Sequence, residues 1–432
     1  MRQTAASLAF LMAATSGATA EEFAVLEGHG GPIMATALSA DGSAALTGSF
    51  DNSVGLWRLD DGSVTWLEGH EAAVKTVIYI SDTRAASAGD DFRTILWDLS
   101  TGTALATLEG HRGQIKALAA SSDGTRLATA SWDGSIGLWD AETGENLAFL
   151  KSHESSVNDV VFADDDTALY STSADGTIRY WPLDRPGPSD IVLRHGFATT
   201  EILIDERAGW LAYGAVDGAT RILSLADLTE IADLSGDRRP ILALAAAPDG
   251  SQIAVGDGEG YIMVVATDGW RIIHDFRAAV RGPVWALAYT ADGTGVLAGG
   301  IDDKAYLWPI GETTAPLFAD ETRSFLRDPE TMTNGERQFQ RRCAVCHSLT
   351  TSSQRRAGPT LHGLFGRQAG TVADYSYSDT LDGSDIIWSQ ETIDALFELG
   401  PAHYIPGTKM PMQRIAAPED RQDLIAFLRD NT

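Results

Sequence analysis

The 432-residue sequence predicts a multidomain chain. A long all-β segment of seven repeats closes on itself, and a smaller domain of a different kind follows. Three observations predict this. A Gly-His…Trp pattern recurs with a period in the low forties. The repetition ends near residue 310. Beyond it, the chain's only two cysteines fall in a single Cys-x-x-Cys-His run.

The first element is a leader. Arg2 supplies a positive start, residues 5–14 are apolar but too short to span a bilayer, and Ala18-Thr19-Ala20 is a small-residue cleavage site. Residues 1–20 therefore read as a secretory signal peptide, and the expected location of the mature protein is the periplasm. No later apolar run approaches membrane-spanning length, so no membrane insertion is expected.

The repeats follow. Gly28-His29 leads to Leu56-Trp57, Gly69-His70 to Leu96-Trp97-Asp98, Gly110-His111 to Leu138-Trp139-Asp140, and Ser152-His153 to Tyr180-Trp181. The tryptophans are 40, 42 and 42 residues apart, each with an aspartate six residues before it: Asp51, Asp91, Asp133 and Asp175. The register continues more weakly through Asp217 and Leu223, Glu259 and Val265, and Asp302 and Trp308, for a total of seven. Residues 126–130 and 134–139 are short strands, and Asp-Gly turns such as Asp123-Gly124 separate such strands. A four-stranded sheet has two apolar faces and cannot bury both alone; packing sheets in a closed ring buries them. The period and its Gly-His and Trp-Asp marks resemble the WD-repeat β-propeller, with four strands per repeat. The recurring His and Asp, with a strand hydroxyl, are then expected to form buried structural networks rather than metal or catalytic sites. Repeats five to seven lack most of the marks: His195 survives in the fifth, and the sixth has Ser235-Gly236-Asp237.

Residues 21–27 look like the outer strand that precedes each Gly-His. By resemblance to related propellers, that strand completes the last blade, near Trp308. The expected organisation is a seven-bladed propeller over 21–310, a polar linker over 311–333 with Pro316 and Pro329, and a final domain over 334–432.

Cys343, Cys346 and His347 define that domain. On a helix their spacing puts all three side chains on one face. This suits covalent haem attachment, with two thioethers and an imidazole on iron. A zinc half-site would need a second ligand pair, and a redox dithiol has no need of the histidine. The residues downstream favour haem. Gly358-Pro359-Thr360-Leu361-His362-Gly363-Leu364-Phe365-Gly366-Arg367, Ile387-Trp388, Tyr404-Ile405-Pro406-Gly407-Thr408-Lys409-Met410 and Asp423-Leu424-Ile425-Ala426-Phe427-Leu428 together resemble class I cytochrome c, of the mitochondrial type. The resemblance implies an all-α fold with one covalent haem c. It makes His347 the proximal and Met410 the distal ligand, with Met412 and His403 as competitors in the same loop. The Pro359 carbonyl would orient His347. Arg367, Tyr377 and Trp388 would hydrogen-bond the buried propionate. Gly335 and Phe339 would pack on the last helix near Leu424 and Phe427.

The net charge is −28, of which residues 330–432 carry only −3. So acidic a chain is a poor ligand for nucleic acid or anionic lipid. Where the mitochondrial type rings its haem edge with lysines, this chain keeps Lys409 and adds Arg341, Arg342, Arg355 and Arg356. That smaller basic surface suits an acidic protein redox partner or the acidic propeller itself. A His/Met haem leaves no open iron position, which points to electron transfer rather than catalysis, with the propeller docking protein partners. Two other readings stay open. One is a propeller-based oxidoreductase that uses the haem as electron outlet; the propeller of periplasmic nitrite reductases, however, has eight blades and a second haem. The other is a non-redox interaction protein or haem-based sensor.

Overall fold

The computed structural model describes residues 24–184, 188–236, 240–279, 282–310, 331–378, 380–410 and 413–432. The expected leader, residues 21–23 of the expected closing strand and most of the expected linker lie outside the described residues, as does Met412.

The repeats fold as seven four-stranded antiparallel sheets. The first strands of six sheets, in order, are Ile33–Leu38, Val74–Ser81, Ile115–Ala120, Val157–Phe162, Thr199–Asp205 and Ile241–Ala246, and Val284–Tyr289 takes that place in the seventh. Each packs against the next, and the seventh returns to the first, so the ring is closed. Each also carries a register shift near its start, for example between Ile33 and Ala35 or Val284 and Ala286. Such bulges sharpen the local twist of a strand. The second strands are buried along nearly their whole length, as expected of strands covered on both faces. Ala24–Glu27 pairs antiparallel with Lys304–Pro309 as the fourth strand of the last blade. The propeller thereby joins its first and last strands non-covalently and gives the last blade the same fourth, outer strand as the others.

The first four blades share one buried relay. In blade 1, Trp57 Nε1 donates to Thr47 Oγ1 at 2.7 Å, Thr47 contacts His29 Nε2 at 2.7 Å, and His29 Nδ1 contacts Asp51 at 2.9 Å. Asp51 also accepts from the Gly30 amide and the Ser53 hydroxyl, tying two turns together. His70, His111 and His153 repeat the arrangement with Asp91, Asp133 and Asp175. Blade 5 keeps the pair but turns the ring over. His195 meets Asp217 through Nε2 and Tyr213 through Nδ1, both at 3.1 Å. The reason is steric: Tyr213 stands where the other blades have Thr or Ser, and Leu223 replaces the tryptophan. In blade 6 the turn amides of Glu259 and Tyr261 are capped by the buried Asp257, not by Glu259 as the repeat register predicts.

Among the described residues, the C-terminal domain has four helices: α1 (Asn334–Arg342), α2 (Gln390–Leu399), α3 (Pro401–Tyr404) and α4 (Pro418–Asn431). Helices α1 and α4 cross at Gly335, where a Cβ would collide with the Asp423 carbonyl. Phe339 and Phe427 stack beside the crossing with ring centroids 5.3 Å apart. Ser389 and Thr392 form a reciprocal capping box on α2. No described helix is long and apolar enough to cross a membrane. The domain touches the propeller through Arg355, which pairs with Glu68 and lies 4.1 Å from the centroid of the Trp66 ring.

Candidate functional site

The Cys-x-x-Cys-His run is not helical throughout. Helix α1 ends at Arg342, Cys343 is its C-cap, and residues 343–346 form a turn closed by His347 N–H on the Cys343 carbonyl at 2.8 Å. The helix gives way because the next residues bond elsewhere. The Cys346 carbonyl accepts from the Gly358 amide, and His347 reaches the Pro359 carbonyl. The turn keeps both thiols and the imidazole on one cavity, as the spacing requires.

That cavity has a volume of about 360 Å³. Cys343, Cys346, His347 and Met410 all line it, together with Leu361, Leu364, Ile393, Leu396 and Ile405. The sequence-predicted Pro359, Arg367, Tyr377 and Trp388 line it too. His403 is exposed and is not among the lining residues.

His347 donates from Nδ1 to the Pro359 carbonyl at 2.8 Å, which leaves Nε2 as the acceptor nitrogen. Burial holds its pKa below the ordinary histidine value, so the ring stays neutral, the form that binds metal. Gly358 makes this packing possible: a Cβ there would run into the imidazole. Burial pushes the Cys343 thiol up to about 12 and the Cys346 thiol up to about 11. A redox dithiol depends on the opposite shift.

Part of the cavity wall is polar. Arg367 donates to the carbonyls of His362 at 2.6 Å and Thr360 at 2.7 Å, and burial lowers its pKa. The Tyr377 hydroxyl accepts from the Val372 amide at 3.4 Å. Trp388 is half-buried, and its backbone pairs with Gly366 and Arg367. Ser378 Oγ and Gln413 Oε1 are buried in the wall without a protein partner. A group that carries its own polar substituents fits such a wall, as the apolar remainder fits a flat macrocycle. The residues present therefore suit haem.

Sequence reasoning assigned no role to several residues that shape this site. Tyr375 bonds the Ala357 carbonyl at 2.7 Å and stands edge-on to Tyr377. Ser353 is held by Asp374. Phe50, Asn52, Glu71, Asp90 and Gln114 of the propeller also line the cavity. Asn52 offered one signal: it has φ 72° at a turn position where blades 3 to 6 place glycine, namely Gly134, Gly176, Gly218 and Gly260.

Comparison with known proteins agrees with both halves. The family described as WD domain, G-beta repeat matches residues 20–58, 102–140, 144–182 and 270–309. The second blade is outside those matches, yet its relay is complete. The cytochrome c family matches residues 332–432. This chain is 44% identical over 100 residues to a cytochrome c of Nigella damascena, covering 23% of the chain and 88% of that protein. It is 46% identical over 98 residues both to one of Arabidopsis thaliana and to one of Cochliobolus lunatus, covering 23% of the chain and 87% and 90% of those proteins. A domain of this kind carries covalently bound haem c and transfers electrons, and a WD propeller mediates protein interaction. Through residues 332–432 the chain belongs to the cytochrome c family, and seven WD-type propeller blades precede that domain.

Proposed function

We propose that this chain is a periplasmic electron carrier, in which a haem c ligated by His347 and Met410 is tethered to a propeller that docks protein partners. The observation that carries the reading is the cavity shared by Cys343, Cys346, His347 and Met410. Haem c in this site supplies one-electron exchange between ferric and ferrous iron. The thiols of Cys343 and Cys346 would anchor it. His347 offers Nε2 because Pro359 engages Nδ1. Met410 offers a soft thioether, which favours ferrous iron and raises the potential. Arg367, Tyr377 and Trp388 are placed to partner a propionate. His347 and Met410 would both hold the iron, which suits electron transfer rather than binding of substrate at the metal. Export by residues 1–20 fits haem attachment outside the cytoplasm.

The test is cofactor analysis of the full chain, produced with its leader in a host that matures c-type cytochromes. One haem c per chain, no other cofactor and an N-terminus at Glu21 are expected. Retention of residues 1–20 in the cytoplasm would overturn the location. A second cofactor, or turnover of a small substrate, would favour the oxidoreductase alternative.

A further inference from the structure

The haem cavity is not built by the cytochrome domain alone. Its rim includes Arg342 and Lys409 on one side and Glu71 and Asp90 of the propeller on the other. Glu71 and Asp90 also pair within the propeller, with Arg93 at 3.7 Å and Lys75 at 3.5 Å.

The contact that seats the two domains lies beside this rim. Gln354 and Arg355 are successive non-glycine residues with φ 52° and 54°. That conformation costs backbone energy and persists only where surroundings hold it. The surroundings include blade 1. Arg355 pairs with Glu68 and covers the face of Trp66. The backbone of Gln354 and Arg355 lies so close to Gly30 that a Cβ there would overlap the Gln354 carbonyl. Blades 2 to 4 have Glu71, Arg112 and Glu154 after the histidine; blade 1 has Gly30. In all four blades that residue's amide bonds the relay aspartate. The propeller fold thus accepts a side chain at this position, and the approaching cytochrome domain does not. The touching loop is also tied to the haem-attachment turn, because Arg356 donates to the Ala344 carbonyl.

Building on the electron-transfer reading, we infer that blades 1 and 2 of the propeller are the resident cover of the haem cleft. A macromolecular redox partner reaches the haem edge only when this contact opens. The contact is made to open: Glu68 is 64% exposed, and an exposed ion pair contributes little and weakens with salt.

The test uses the full chain and three variants: Gly30→Glu, Arg355→Glu, and Arg355→Glu combined with Glu68→Arg. Small-angle scattering and hydrogen exchange of the 350–357 loop read the contact without reference to redox. Stopped-flow reduction by ascorbate, and by ferrous mitochondrial-type cytochrome c as a protein donor, read access to the haem. In each reaction one electron passes to the ferric haem. If the closed state is mostly populated, opening it raises the protein-donor rate by roughly tenfold, because only the open fraction reacts. Gly30→Glu and Arg355→Glu are expected to expand the particle, speed loop exchange and produce that rise, with ascorbate rates nearly unchanged. The double variant is expected to return all readings towards wild type. An unchanged particle in Gly30→Glu overturns the contact. An expanded particle with an unchanged protein-donor rate overturns the cover. Absence of reduction by either donor in every variant sinks the electron-transfer reading and the cover with it, while scattering still reports whether the domains touch.

Discussion

His111 is a buried imidazole and His347 a half-buried one, and they do opposite things. His111 has both ring nitrogens engaged inside its blade, Nδ1 with Asp133 at 2.9 Å and Nε2 with Thr129 at 2.7 Å. His347 has Nδ1 engaged with a backbone carbonyl, and its other nitrogen belongs to a cavity. A histidine whose partners are all supplied by the fold is a fastener; one with a nitrogen left over is a ligand. The first kind recurs in blade after blade because each blade solves the same packing problem. Among the described buried relays and the cavity, the second occurs once, as the proposed proximal ligand of a single haem would.

The largest effect that separates them is His347→Ala against His111→Ala. The first is expected to abolish the low-spin visible spectrum and electron exchange while leaving the propeller's thermal transition in place. The second should leave the spectrum intact. A normal spectrum in His347→Ala breaks the comparison.

Removal of the closing strand comes next. Deleting residues 21–27 takes away the pairing with Lys304–Pro309 and the 2.7 Å ion pair of Glu27 with Lys304. It leaves an unpaired edge. The propeller's melting temperature should fall by several degrees and aggregation should rise. Unchanged melting would show that the ring does not depend on its N-terminal strand.

Within a blade, Asp133→Ala leaves the His111 N–H without its acceptor. A lost buried hydrogen bond to a charged group costs about 2–3 kcal/mol. Denaturant titration of the propeller transition measures it, and a change below about 0.5 kcal/mol, as for an ordinary surface site, would return these aspartates to the surface.

The smallest effect is that of pH. Burial alone would raise Asp175, but hydrogen bonds from Thr177, the Glu154 amide and His153 outweigh it and hold the carboxyl at about 2. Burial holds His153 below its ordinary value. In both cases the unfolded chain takes up the proton first, so stability falls as pH falls. The histidine contribution is lost as pH drops below about 6.5, and the aspartate contribution between about 4 and 2. Asp175→Asn should flatten the acid limb of a melting-temperature profile. An acid limb as steep as wild type's would remove Asp175 from the balance.

The sequence carried much of this because its signals are periodic or covalent in origin. Trp57, Trp97, Trp139 and Trp181 marked the first four blades, the weaker register through Asp217, Glu259 and Asp302 extended the count to seven, and Cys343 and Cys346 located the haem-type motif. Blades 5 to 7 were harder to read because the same space is filled differently. Tyr213 with Leu223 replaces a Thr and Trp pair, and Asp257 takes the capping that register assigns to Glu259. The contact between domains was half legible: Arg355 belongs to the basic surface that suits the acidic propeller, and it pairs with Glu68. Gly30 sits beside Gly31 and reads as an ordinary turn, and its meaning depends on Arg355, 325 positions later. The end of α1 before Cys343 was also illegible, since tertiary bonds from residues 358 and 359 set it.

The proposed function rests on His347 and Met410 together holding the iron of a single haem c. Optical spectra and redox titration of the full chain and of Met410→Ala test it most directly. The wild type should be low-spin with the long-wavelength methionine–iron band of this family. Met410→Ala should lose the band, and its potential should fall by on the order of 0.1 V or more, within the roughly 0.8 V range that axial ligands control. Retention of the band and of the wild-type potential in Met410→Ala would contradict the claim.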